Sequence, residues 1–154
     1  MIAKSVGSAA IKPAETATKV IVNADILFTV SGGPVAIEIY EAECITANDI
    51  TASTLQLQSV PTVGTATTIT GASTSLASAT AGTTVLMNPT ALSTAPTIVA
   101  AAAGGVQLGA NVANRIIVQP GTIKAVVGIG STTGTWKHRL VYTPLSPNSF
   151  VVGT

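Results

Sequence analysis

From Ile50 to Asn114 the chain carries no Asp, Glu, Lys, Arg or His; Thr, Ala, Ser, Gly and Pro fill the stretch, broken by single aliphatics. Such a segment has no acid/base pair, no metal carboxylate and no cation for a phosphate, so its roles are packing and backbone pairing. The rest is nearly as lean, with 8% charged residues, 3% aromatics and 47% hydrophobics. Soluble domains average about a quarter charged, so hydroxyls must wet much of this surface. A surface hydrated by Thr and Ser does not repel a neighbouring copy, which suits a subunit covered by others more than a free enzyme.

At 154 residues one domain is expected. With Tyr40, Tyr142, Trp136, Phe28 and Phe150 as its aromatics, the core must be built mainly from Val, Ile, Leu and Ala. The formal net charge is +1, which argues against binding nucleic acid by neutralising many phosphates. The signs are segregated along the chain. Glu15, Asp25, Glu38, Glu41, Glu43 and Asp49 lie in the first third, and Arg115, Lys124, Lys137 and Arg139 in the last, with Lys4, Lys12 and Lys19 near the start. Either the two ends pair as neighbouring strands and their charges meet across a sheet, or acid on one copy matches base on the next.

Residues 1–15 have no apolar core of the kind a secretion signal needs. The most apolar window, Thr97 to Asn114, is broken by Gly104, Gly105, Gln107, Gly109 and Asn111, so no membrane span is expected. Cys44 is the single cysteine, so it has no intrachain disulfide partner and reads as a small buried apolar residue.

Residues 1–18 lack periodicity and read as an extended N-terminal arm ahead of a domain spanning 19–154. Lys19 to Val30 is rich in β-branched residues and is expected as one strand ended by Ser31-Gly32-Gly33-Pro34. Val35, Ile37 and Ile39 then alternate with Ala36, Glu38 and Tyr40, which predicts a second strand and a hairpin. A bulge would let that strand run on to Ile45, because Ala42 and Cys44 fall on the Tyr40 face. Asp49 is placed to cap a short helical turn. Short strands are predicted around Leu55–Gln58, Ala66–Thr70, Thr83–Met87, Thr97–Val99 and Ile116–Val118, with loop at 73–81. For Ala100–Ala103 helix and strand compete, and strand followed by loop is preferred because Gly104 and Gly105 follow.

The clearest alternation is the last. Ile123, Ala125, Val127 and Ile129 form one apolar face, and Trp136, His138, Leu140 and Tyr142 another after a glycine-bounded loop, which predicts a β-hairpin. Phe150–Val152 adds a short strand. Eight to ten strands, Gly and Pro punctuation and no amphipathic helix predict an all-β, single-domain β-sandwich, jelly-roll-like in winding.

Few side chains can do chemistry. His138 with Cys44 and Asp25 or Asp49 has the composition of a nucleophilic site, but His138 sits inside a regular strand and reads as structural. Glu41 and Glu43 share a strand face and read as solvated acids instead of a carboxylate pair. Gly128, Gly130 and Gly134 lack the dinucleotide spacing and serve a turn. One Cys and one His cannot close a zinc site, and stacking of bases on aromatics among basic residues is not supported. No catalytic, cofactor or metal residue is assigned.

The run from Gly121 to Ser146, GTIKAVVGIGSTTGTWKHRLVYTPLS, resembles the end of small structural proteins of tailed bacteriophages, and TANDITASTLQ at Thr46 to Gln56 is similar in character. That resemblance implies a capsid decoration, or cement, protein: β-rich, commonly trimeric, clamping neighbouring major capsid protein subunits on the virion surface after assembly in the host cytoplasm. Under this expectation Lys4, Ile11, Lys12 and Pro13 of the arm contact the partner. Phe28, Trp136 and Tyr142 anchor the core beneath it. A tail, neck or head-fibre component is the alternative, and no nucleic acid, membrane or small-molecule substrate is expected.

Overall fold

A computed structural model describes residues 10–87, 92–100, 115–129 and 132–154. The described residues contain strands and no helix. These are β1 (Lys12–Glu15), β2 (Lys19–Val20), β3 (Ile26–Ser31), β4 (Val35–Cys44), β5 (Thr54–Pro61), β6 (Thr67–Thr68), β7 (Thr84–Leu86), β8 (Thr97–Val99), β9 (Ile116–Val118), β10 (Gly121–Gly128), β11 (Thr135–Pro144) and β12 (Phe150–Gly153). They form two antiparallel sheets. Sheet A runs β1-β11-β4-β7-β8, with β2 also against β11 and β9 also against β4; sheet B runs β12-β3-β10-β5-β6.

Alternation decides which side chains face inward. Trp136, His138, Leu140 and Tyr142 of β11 and Ile123, Ala125 and Val127 of β10 are all buried. The apolar residues of both sheets merge into one cluster that includes Leu27, Phe28, Tyr40, Leu55, Leu57, Ile123, Trp136 and Leu140, giving a sandwich-like arrangement. The expected core anchors Phe28, Trp136 and Tyr142 are 0, 0 and 3% exposed. Tyr142 also ties the layers, since its hydroxyl accepts a hydrogen bond from the Val151 N–H of β12 at 3.1 Å.

Both expected hairpins are instead crossings between sheets. β3 pairs with β10 and β12, whereas β4 pairs with β11, β7 and β9; likewise β10 lies in sheet B and β11 in sheet A. Two alternating strands joined by a short glycine-containing loop satisfy a hairpin, but they equally satisfy two layers facing each other about 10 Å apart. At the first crossing Gly32 and Gly33 have φ of 74° and 147°, and a Cβ at Gly32 would collide with the Asn148 backbone. The run Lys19–Val30 is likewise two strands in different sheets, split by a turn in which Ala24 has φ of 69°. The bulge in β4 is present: Val141 faces Ile39 and Tyr142 faces Ile37, so Glu38 is passed over. Ile39 thereby turns outward and Tyr40, Ala42 and Cys44 turn in.

The start of the domain also differs from expectation. Lys12–Glu15 is not a detached arm but pairs along β11 from Tyr142 to Arg139. Ala14 and Thr16 are buried, and the Thr16 hydroxyl accepts the His138 backbone N–H at 3.1 Å. Just beyond β1 the Ala17 N–H donates to the Thr154 carbonyl at 3.2 Å, so this edge of sheet A adjoins the β12 edge of sheet B. Lys4 lies outside the described residues, as do Ala101–Ala103.

Candidate interaction surface

The acids of the first third and the bases of the last meet on the outer face of sheet A. β11 is flanked by β1 and β4, which sets Arg139 opposite Glu15 on one side and Glu41 on the other, and Lys137 opposite Glu43. The Arg139 guanidinium reaches Glu15 at 3.2 Å, Glu41 at 3.6 Å and Glu43 at 2.6 Å, while Lys137 bonds Glu15 at 2.5 Å. The Lys137 ammonium, helped by Arg139, holds the Glu15 carboxyl below its ordinary value, and Glu43 above all raises the Arg139 guanidinium. Glu38 is paired with Arg115 at 3.2 Å and accepts the Thr143 hydroxyl at 2.6 Å. Glu41 and Glu43 are thus bound to an arginine, not poised as a carboxylate pair.

The residues considered for nucleophilic chemistry are inside the core. His138 is fully buried, its Nδ1 2.7 Å from the Tyr40 hydroxyl and the two rings stacked with centroids 6.0 Å apart. Nε2 has no hydrogen-bond partner. Burial, with a smaller contribution from Lys19, pushes the imidazole down to about 3, so the ring is neutral at pH 7; burial pushes the Tyr40 hydroxyl up. Cys44 faces the core opposite Trp136, with Ala42 opposite His138, and its thiol donates to the Thr46 carbonyl at 3.2 Å while burial raises it. Asp25 accepts the Val22 N–H at 3.2 Å. Asp49 caps a turn rather than a helix: its Oδ1 accepts the Thr51 N–H at 2.7 Å, and its own N–H donates to the Thr133 hydroxyl at 2.7 Å. Among the described residues no three of His, Cys, Asp and Glu gather where they could hold a metal. No helix among them is long and apolar enough to cross a membrane.

Polar side chains elsewhere act as ties. Asn48 is buried with Oδ1 accepting from Gly134 N–H at 2.8 Å and from the Trp136 indole at 3.3 Å, while Nδ2 donates to the Leu76 carbonyl at 2.9 Å. Thr70 and Ser73 hydroxyls accept the Leu57 and Leu55 N–H groups at 3.0 and 2.9 Å. They thereby occupy one edge of β5, where bare backbone would invite pairing with another chain.

The expected partner contacts are only partly together. Ile11 is 64% exposed, and Lys12 and Pro13 are exposed opposite Tyr142 and Val141 at the edge of sheet A. Pro13, Val141 and Ile39 lie in one register row across three strands, and Ile39 is 52% exposed. The sequence reading missed the outer face of sheet B, where Phe150 and Val152 are 46 and 51% exposed. Phe150 is the one aromatic that is exposed, and Val151 between it and Val152 is in the core. No protein-family model, curated protein or solved structure matches the chain.

Proposed function

We propose that this protein is a structural subunit of a tailed-bacteriophage virion, a capsid decoration protein that bridges and stabilises major capsid protein subunits as a homo-oligomer, with a trimer preferred. The observation that carries the reading is how the chain uses its scarce reactive groups. His138, Cys44 and Asn48 hold the sandwich together and sheet A's carboxylates are bound to bases, while large apolar side chains such as Ile11, Ile39, Ile50 and Phe150 face outward. Contact area against other subunits is what such a surface offers. Each bound copy would then stabilise the shell by mass action, through buried area across a seam.

The fold's winding is the finer part of this reading. The neighbours β3-β10-β5 in one sheet and β11-β4 in the other correspond to the B-E-D and F-C neighbours of immunoglobulin-type sandwiches. β12 takes the place beside the second strand and β1 the place beside the sixth. We read a Greek-key sandwich of that type in preference to a jelly roll.

The test is binding to empty heads lacking this chain, followed by co-sedimentation. The full chain is expected to bind saturably and to raise the temperature at which heads rupture; no binding would refute the reading. Removing residues 1–17 would also remove β1 and the Thr16 contact to His138, so the arm is tested by deleting residues 1–9 alone. Lost head binding with an unchanged urea midpoint is expected, and undiminished binding would dispose of the arm's role.

A further inference from the structure

Three ionised side chains, Asp49, Lys12 and Lys124, form no ion pair among the described residues. Glu15, Glu38, Glu41 and Glu43 are bound to Lys137, Arg139 and Arg115, and Asp25 lies 4.0 Å from Lys19. Asp49 is the sixth acid and forms no ion pair with a described residue, although bonds from Thr51 and Thr133 hold its carboxyl below the ordinary value and keep it charged. Beside it Ile50 is 86% exposed. Among the described cations Lys12 and Lys124 form no ion pair, and the undescribed segments contain no acid.

Lys124 stands on the outer face of sheet B, opposite Gln58 of β5 and Ile26 of β3. Ile26 is 39% exposed, and Val126, two residues on along β10, is half-buried on the same face. The outward residues of that face are otherwise hydroxyls, amides and apolar side chains, among them Val152 and Phe150, with the mutually paired Lys19 and Asp25 at its rim, where the Lys19 ammonium donates to the Ile26 carbonyl at 3.1 Å. A cation ringed by apolar and uncharged groups selects a surface that brings one carboxylate with an aliphatic next to it. The Asp49–Ile50 pair of another copy has that composition. Packing the same face of two copies together would instead bring Lys124 against Lys124 with no acid between them.

We propose that copies of this chain associate head to tail, the Asp49–Ile50 loop of one seated on the outer face of sheet B of the next, with the Asp49 carboxylate on Lys124 and Ile50 between Ile26 and Val126. The contact is heterologous, so repetition gives a ring where the rotation between copies closes and an open filament where it does not; the trimer preferred above is the closed case. The five strands of sheet B have 4, 6, 8, 8 and 2 residues, which at about 3.3 Å per residue and about 4.8 Å between strands give roughly 440 Å² per side and about 900 Å² for both partners. That is below the standard range of specific interfaces, a weak contact of the kind an oligomer completed on a shell can use. This inference rests on the subunit reading above and names the surfaces it uses.

Sedimentation equilibrium of the full chain, from about 1 to 100 µM in low salt, tests it. The wild type is expected to associate. Asp49→Asn, which keeps the acceptor for Thr51, and Lys124→Gln should each weaken association about tenfold, and the double variant no further, because both remove one interaction. Ile50→Ser should weaken it independently. Urea midpoints matching the wild type would show that the fold is kept. A wild type monomeric throughout, single variants without effect, or losses that multiply in the double variant would each overturn the pairing. A monomeric chain that still binds empty heads would sink this inference and leave the subunit reading standing; an oligomer indifferent to heads would do the reverse.

Discussion

His138 makes the fold sensitive to acid in a window that begins well above the ordinary carboxyl values of Glu15 and Asp49. The imidazole is fully buried against Tyr40, with Nε2 unpartnered, and burial lowers its proton affinity to about 3. In the unfolded chain the same ring takes a proton near pH 6.5. The group is therefore neutral when folded and charged when unfolded at intermediate pH, so stability is complete above about pH 6.5 and falls as pH drops toward 3. The slope approaches 1.36 kcal/mol per pH unit, so between pH 6.5 and 4.5 the loss is about 2 kcal/mol, or a melting shift of roughly 4 to 8 °C for a domain of this size. The depressed carboxylates of Glu15 and Asp49 work in the same direction, but their contribution is lost only below their ordinary values of 4.5 and 3.8. Urea melts at pH 7.0, 5.5 and 4.5 isolate the histidine. His138→Asn can keep an acceptor near the Tyr40 hydroxyl and does not titrate, so its stability should be level over this range. A wild type equally level, or an Asn variant that keeps the slope, would refute the argument.

Three further substitutions probe the ties. Asn48→Ala removes the acceptor for Gly134 and Trp136 and the donor to Leu76 in a buried site, and should cost about 2 to 4 kcal/mol in urea unfolding. Gly32→Ala forces a side chain onto a backbone with φ of 74° and against Asn148; a loss of roughly 3 kcal/mol is expected by the same assay. Arg139→Met disconnects three glutamates at a half-exposed site and should cost only about 1 kcal/mol, shrinking in 0.5 M salt. A salt-independent loss would show that its packing, not its charge, matters.

The sequence made the inward faces legible because a period of two leaves little choice: Trp136, Leu140 and Tyr142 or Ile123 and Ala125 could only point one way. The bulge in β4 was legible too, from the shift of Ala42 and Cys44 onto the Tyr40 face. Layer assignment was not, since Ser31–Pro34 and the loop before Thr135 join strands without stating whether they lie side by side or opposite. β1 was missed because four residues of Lys-Pro-Ala-Glu carry no alternation, and only their pairing with β11 makes them a strand. The ion pairs followed once β4 and β11 were neighbours. The uncovered face of sheet B did not, because the three consecutive apolar residues Phe150–Val152 do not say which of them points outward until their pairing with β3 is known.

Cryo-electron microscopy of intact particles carrying this chain tests the central claim most directly. The account predicts two-sheet density on the outer surface of the head, seated across seams between major capsid subunits and grouped in rings. The same density confined to the tail or neck, or particles without it whose heads are as resistant to rupture as before, would contradict it.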